Sequence, residues 1–305
     1  MRDVVIIGAG PAGLSACLYA SRAGLNTLII EKGLPGGQLN NTDKIDNYLG
    51  TPEKDGMELA EEMHTQAMSF GGKQMYGEVT EVRQNSDTSF TVYVGDEQVN
   101  THTVIVATGT EYKTMGIPGE TELIGRGVSY CAVCDAPFYK DKKLAVIGGG
   151  DSALEEADYL TNFASEVTVI HRRDEYRAKP HLQDRVKKNP KIRQIMNVDT
   201  TKIKGEDNVN GIIFYDKSTD LNSSILVDGV FIYIGQNPQS EFLKGLKITN
   251  ENGYITSTGI NCETQIPGLY AVGDIIDKPV RQVANAVGEG AEAGQAAYNY
   301  INDNK

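Results

Sequence analysis

The chain has no tryptophan and only 4 cysteines and 4 histidines among its 305 residues. A structural zinc site needs four ligands and usually presents them as two close pairs, so these scarcities leave little material for one. Basic residues are also in deficit. Lys and Arg number 29 against 41 Asp and Glu, a formal net charge of −12. Such a surface repels phosphate backbones and argues against nucleic acid as a partner. Long apolar runs are missing as well. No stretch approaches the roughly 18 residues of a membrane span. In the opening MRDVVIIGAG, the apolar run Val4 to Ile7 falls short of the roughly 7–15 residues of a secretory h-region. The expectation is a cytoplasmic protein with no membrane partner. In that compartment a close cysteine pair is more often catalytic or metal-binding than structural.

What the chain holds in quantity is glycine, 33 residues, many of them clustered where apolar runs stop. Residues 4–31 read as strand, glycine turn, helix and strand: VVII, GAGPAG, LSACLYASRAG, NTLIIE. The same grammar returns at 144–173 in LAVIGGGDSALEEADYLTNFASEVTVIHRR. A continuous Val/Ile run suits a parallel strand covered on both faces. The expected fold is α/β, with two Rossmann-like dinucleotide-binding domains of the three-layer type. Residues 243–305 hold no third βαβ unit and are expected to complete the first domain, leaving the second inserted into a discontinuous first. The expected division is 1–116, 117–242 and 243–305. The crossings are placed near Ile117-Pro118-Gly119 and Gly235-Gln236-Asn237-Pro238, where Gly and Pro suit linkers. FTVYVGDEQVNTHTVIVA (90–107) and GIIFYDKSTDLNSSILVDGVFIYIG (211–235) alternate like antiparallel hairpins. The segment QVANAVGEGAEAGQAAYNYI, from Gln282, reads as a small-residue helix.

Gly8, Gly10 and Gly13, with Pro11 and Ala12 between them, fit G-x-G-x-x-G. The glycines allow a tight turn, close backbone approach to a pyrophosphate and close helix packing. The following helix N-terminus favours phosphate. Glu31, at the end of the second strand, can accept from ribose hydroxyls. The second loop runs Gly148, Gly149, Gly150, Asp151, Ser152, Ala153, with alanine in the third place. Its second strand ends in His171, Arg172 and Arg173, with Arg177 close behind. Arginines there can hold a 2′-phosphate through paired, charge-assisted bonds, so this loop is expected to take NADPH over NADH.

Cys131 and Cys134 form a C-x-x-C with Asp135 directly after. Zinc would need two further ligands, and lone Cys17 and Cys262 do not make a second pair. A static disulfide here would close too short a loop to stabilise much. The third reading is a redox dithiol, whose thiolate attacks a partner disulfide while the second cysteine resolves the mixed disulfide. Asp135 could exchange the proton between thiol and thiolate, and it is also placed to N-cap a helix. Cys17 reads as a small core residue. Cys262, between Asn261 and Glu263, reads as a loop residue without a role.

GAGPAG, PGGQL (35–39), VATG (106–109), CAVCD, GGGDSA, HRRDEYRA and AVGD (271–274), followed by Arg281-Gln282, occur in the order and spacing of a known family. Together they resemble the bacterial-type, low-molecular-weight thioredoxin reductases, essentially along the whole chain. The resemblance implies FAD in the outer domain, NADPH in the inserted one, and thioredoxin as the protein substrate of a homodimer. By position, Gly8, Gly10, Pro11, Ala12 and Gly13 would line the FAD pyrophosphate, with Glu31 on ribose. Gly37, Gln38, Leu39 and Asn47 would lie along the flavin, and Gly273, Asp274, Arg281, Gln282 and Val283 would reach its ribityl chain and ring. Val79, Ala107, Thr108 and Gly109 belong to the same cofactor set. Gly148, Gly150, Asp151, Ser152, Ala153, His171, Arg172, Arg173 and Arg177 would hold NADPH. The family's active disulfide falls on Cys131–Cys134, with Asp135 as its acid–base residue. The inserted domain is expected to rotate between half-reactions. Asp151-Ser152 stands where the family more usually has Asn-Thr, and Ala136 where it has glycine. Neighbouring activities share this shape: a flavin disulfide reductase serving a glutaredoxin-like or peroxiredoxin-linked carrier, and a flavin enzyme feeding ferredoxin or a quinone.

Overall fold

The VVII run becomes β1 (Arg2–Ile7), whose last four residues are buried. The glycine turn leads into α1 (Pro11–Arg22), with Pro11 in the first turn, where a missing N–H breaks no helical bond. β2 (Thr27–Glu31) then lies parallel to β1, Val4 opposite Thr27. The computed structural model describes every residue except Asp43, Thr258, Ile260 and Lys305. α2 (Gly56–Met68) begins at Asp55, whose carboxylate accepts the Met57 and Glu58 N–H groups, a standard cap. β3 (Lys73–Tyr76) extends the sheet beside β2. β4 (Val79–Gln84), β5 (Phe90–Val94) and β6 (Glu97–Val106) form an antiparallel meander. β6 does two jobs. Its first half takes β5 antiparallel, Val94 opposite Glu97, and its second half runs parallel to β1, Val106 opposite Ile7. The expected hairpin at 90–107 is therefore half hairpin and half central strand.

After β7 (Thr110–Tyr112) the chain builds a second unit. β8 (Val128–Ser129), α3 (Ala132–Asp135), β9 (Lys143–Gly148), α4 (Asp151–Leu160), β10 (Glu166–Ile170), α5 (Pro180–Lys188) and β11 (Ile192–Ile195) follow in order. β12 (Val198–Gly205), β13 (Val209–Asp216) and β14 (Leu221–Ile225) make a separate three-stranded antiparallel sheet. β15 (Gly229–Tyr233) departs from the hairpin expected over 211–235. It inserts parallel between β9 and β8 in a sheet ordered β11-β10-β9-β15-β8. Val230, Phe231 and Ile232 are buried without alternation, the pattern of a strand covered on both faces.

β16 (Gln236–Pro238) returns beside β7 as a two-stranded sheet. β17 (Leu269–Ala271) pairs with the second half of β6, Ala271 opposite Val106, and α6 (Val283–Asp303) closes the chain. The chain divides into Met1–Glu111 with Asn237–Lys305, and Tyr112–Gln236. These edges precede those expected after 116 and after 242. Ile117-Pro118-Gly119 packs inside the second unit instead of linking: Pro118 O accepts the Ile203 N–H at 3.0 Å, and a Cβ on Gly119 would overlap Ile203 O.

In the first unit α1 and α6 meet at glycine. A Cβ on Gly290 would overlap the Ala12 carbonyl, and one on Gly294 would lie 2.8 Å from Ala16 O. Gly290→Val therefore drives a branched side chain into α1. It should destabilise the protein by about 1–3 kcal/mol, read as a lower midpoint in urea with unchanged slope. A midpoint equal to that of the parent would show that the helices separate at no cost.

Candidate active site

The first glycine turn is pressed against a neighbouring strand end. Gly8 has φ +99°, and a Cβ there would overlap the Ala107 carbonyl; one on Gly13 would overlap Gly8 O. At Gly10 the nearest atom to a Cβ is Gly37 Cα, 3.9 Å away, which leaves the open backbone a pyrophosphate needs. A cavity of about 920 Å³ lies beside this turn, lined by Gly8, Glu31, Lys32, Val79, Thr108 and Gln239 among others. Four of the residues expected on FAD thus meet at one cavity. Glu31 also braces the turn, with Oε2 accepting the Ala9 N–H at 2.7 Å and Oε1 the Gly33 N–H at 2.9 Å. Thr108 Oγ1 donates to Gln239 O at 2.7 Å, and Gly109 O accepts the Gln239 N–H at 3.1 Å.

The flavin-side residues gather in the same unit. Asn47 Nδ2 donates to Gln282 Oε1 at 3.2 Å, Gln38 Nε2 donates to Thr110 O at 2.8 Å, and Leu39 is buried. The Gly273 N–H donates to Glu289 Oε2 at 2.7 Å. Lys278 Nζ donates to both Glu289 oxygens at 2.7 Å, its side chain only 13% exposed. Burial raises the Asp274 carboxyl above its usual range. The Arg281 guanidinium lies 5.0 Å from the Tyr254 ring centre, and its Nε is a buried donor with no partner. A buried polar atom without a partner is uncommon and calls for a ligand or a functional reason. The bare turn, the cavity and this orphaned donor fit FAD.

The second turn repeats the first. A Cβ on Gly148 would overlap the Tyr233 carbonyl, whereas Gly150 faces open space. Ala153 is buried behind it and Ser152 is exposed. Asp151 Oδ1 accepts the Lys179 N–H at 2.8 Å, and Lys179 Nζ lies 3.3 Å from Oδ2. That backbone bond first, and the Lys179 side chain after it, hold the Asp151 carboxyl below its usual range. Its charge, in the place of the family's Asn, is thereby engaged. The arginine turn is pinned through its backbone: Arg172 O accepts Lys217 Nζ at 2.8 Å, Arg173 O accepts the Asn197 N–H at 2.9 Å, and the Arg177 N–H donates to Gly149 O at 2.8 Å. All three arginine side chains are exposed. His171 is buried, unlike these arginines. It is 6% exposed, its ring fills the space over Gly149, and its Nε2 lies 3.2 Å from Glu175 O. Burial lowers its pKa. Its ring packs against the loop at Gly149.

Cys131 and Cys134 are joined by a disulfide, Cα atoms 5.3 Å apart, in the first turn of α3. The Ala132 N–H donates to the Tyr233 phenol oxygen at 2.6 Å, and the Cys131 N–H to Ser129 Oγ at 3.0 Å. The side chain that caps α3 is Cys131, whose Sγ accepts the Cys134 N–H at 3.2 Å. Asp135 instead closes α3, half-buried, and its carboxylate makes no capping bond to the turn that follows. Just upstream, Tyr130 donates its hydroxyl to Glu120 Oε1 at 2.9 Å and stacks on Tyr112 at 4.8 Å. Glu120, 1% exposed, also accepts the Met115 and Gly116 N–H groups at 2.9 and 2.8 Å. The hydrogen-bonding needs of a buried carboxylate are thus met by donors that set the approach to Cys131.

Burial pushes the Cys17 thiol up to about 11 and the Cys262 thiol up to about 12, so neither supplies thiolate. Cys17 is the expected core residue. Cys262 lies in a turn, as expected, and is buried there, with Sγ 3.7 Å from Glu289 O. Among the described residues no group of His, Cys, Asp and Glu could hold a metal ion. Tyr233, Glu120 and the Lys278–Glu289 pair were not singled out from sequence. Tyr233 is one polar tip in an apolar strand, and the carboxylates gain meaning only from partners distant in the chain.

The sequence profile of the pyridine nucleotide-disulphide oxidoreductase family matches residues 2–290. The thioredoxin reductase of Bacillus subtilis (strain 168) is 47% identical over 302 residues, covering 99% of this chain and 95% of that one. The thioredoxin reductase of Listeria innocua is 45% identical with the same coverage. The crystal structure of thioredoxin reductase from Streptococcus pyogenes MGAS5005 superposes with a TM-score of 0.95 at 45% identity, over 99% of both chains.

Lys278→Met leaves the Glu289 charge unpaired beside the Gly273 turn. The protein should release FAD at least about tenfold more readily on dilution, a cost of about 1.4 kcal/mol, followed by the recovery of free-flavin fluorescence. Release equal to that of the parent would remove the ion pair from the cofactor's support.

Proposed function

We infer the detailed activity from kinship: the chain belongs to the pyridine nucleotide-disulphide oxidoreductase family and is an enzyme of its thioredoxin reductase group, using FAD and NADPH. Its substrate in this reading is the disulfide of a thioredoxin. The observation that carries the reading is the Cys131–Cys134 disulfide, set in a first helical turn on the same unit as the second glycine loop. FAD, when bound, accepts a hydride from NADPH and supplies an electron pair to a disulfide.

The protein's own groups do the rest. The turn at Gly8, Gly10 and Gly13 offers backbone to the FAD pyrophosphate, and Glu31 offers acceptors to its ribose. Arg172, Arg173 and Arg177 hold the 2′-phosphate of NADPH. The electron pair breaks the Cys131–Cys134 bond, and Asp135 exchanges a proton with the sulfurs. The Cys131 thiolate attacks the partner's disulfide, forming a mixed disulfide. Cys134 displaces the partner's sulfur and restores the internal bond. Val133, 41% exposed, and Phe138, 46% exposed, flank this turn. In this reading the inserted unit reorients about β7 and β16 between the two half-reactions. The support is that the chain crosses between units twice, through two paired strands. The kinship further supports a homodimer working in the cytoplasm. Among the described residues no helix is long and apolar enough to cross a membrane.

Two measurements test this. Cys131→Ser with Cys134→Ser should abolish NADPH-driven reduction of thioredoxin while sparing reduction of a one-electron dye; retained thioredoxin reduction would refute the dithiol route. Arg172→Ala with Arg173→Ala should raise KM for NADPH about tenfold or more, from lost charge-assisted bonds of about 1.5–3 kcal/mol each, and leave NADH activity alone. Equal losses with both nucleotides would reject the 2′-phosphate assignment.

A further inference from the structure

Behind the redox turn sits a carboxyl group that the steps above do not use. Glu156 projects from α4, which packs on α3, and its Oε2 is buried with no hydrogen-bond partner. Burial first, and the neighbouring Glu155 charge second, push the group up to about 7. The Tyr233 phenol is close enough for the Glu156 charge to oppose its ionisation, and Asp135 and Tyr112 act on it in the same sense. The oxygen of that phenol receives the Ala132 N–H at 2.6 Å, directly beside Cys131. Tyr233 therefore links the two: the Glu156 charge acts on its phenol, and that phenol holds the backbone next to Cys131.

Among the described residues no cation pairs with Glu156, and Glu155 is the one charge that acts on it. α5 engages α4 through Arg185 on Asp158. β9 and β10 meet α4 through an apolar cluster that includes Ala153, Leu154, Val146 and Val169.

We propose that Glu156 takes up a proton when the Cys131–Cys134 disulfide is reduced, and that it governs how readily the released sulfur stays a thiolate. The inference rests on the dithiol reading above. In balance, the S–S bond and the Glu156 carboxylate take two electrons and two protons. They give one thiol, one thiolate and one neutral carboxylic acid. The electron pair comes from NADPH by the activity proposed above. An ionised Glu156 beside a thiolate would place two negative charges around one half-buried turn, and protonation of the carboxyl removes that repulsion. Glu156 acts through the field at the turn and is a positioning residue for charge; the sulfurs remain the reacting atoms.

The test uses the holoenzyme reduced anaerobically with excess dithiothreitol. Iodoacetamide labelling of Cys131 is followed by peptide mass spectrometry across pH. Glu156→Gln should move the labelling midpoint down by about 1 pH unit, because a nearby negative charge is gone. In the unsubstituted protein, the carboxyl carbon of isotopically labelled Glu156 should titrate at higher pH when the disulfide is reduced than when it is intact. That measurement decides the matter even if the variant does not fold. An unmoved labelling midpoint in a folded Glu156→Gln protein, or a carboxyl titration indifferent to the disulfide, overturns the proposal. Retained thioredoxin reduction by the double serine variant would instead sink the dithiol reading itself, so the two failures are separable.

Discussion

Each glycine loop is held by one contact that admits no side chain: a carbonyl oxygen at the end of the adjacent parallel strand lies where a Cβ would go. Ala107 plays that part against Gly8, and Tyr233 against Gly148. The turn is thereby pushed up to the carboxyl edge of its sheet, where open α/β folds bind their ligands. In the second unit the residue whose backbone holds the loop is also the residue whose phenol holds Ala132. The second glycine loop and the disulfide turn thus share one strut, the end of β15.

The polar groups behind the site follow from that sharing. Glu120 collects the Met115 and Gly116 N–H groups and the Tyr130 hydroxyl, which fixes the chain just before Cys131. Glu289 does the comparable work in the first unit, tying the Gly273 turn to α6 through a Lys278 ion pair. Carboxylates withdrawn from water in this way are tolerable only because charge-assisted donors surround them. Glu156 is the contrast: a withdrawn carboxyl with an oxygen left unsatisfied.

Much of this was legible in the sequence, for local reasons. Strand, glycine turn, helix and strand are written within thirty or so residues, so both loops, Glu31 and the arginine turn could be located from spacing alone. Other features depend on partners far along the chain. β15 follows an alternating hairpin without a break, and only its burial on both faces reveals a parallel strand. Ile117-Pro118-Gly119 carries linker chemistry, yet it packs on β12. His171 belongs to the motif by position, but a glycine beneath it offers a slot that its ring fills. Asp135 has capping chemistry, yet the sulfur of Cys131 occupies that role. In each case a local preference yields to a tertiary contact that no window of sequence contains.

The paired crossing strands carry one more implication. The inserted segment starts and stops at neighbouring points, since the Lys113 N–H reaches Gly235 O at 3.0 Å. A polypeptide whose two ends adjoin can be spliced into a surface turn without stretching its host, or cut out and the host resealed with a short loop. The architecture is in that sense a cassette, entered and left through one doorway in the host.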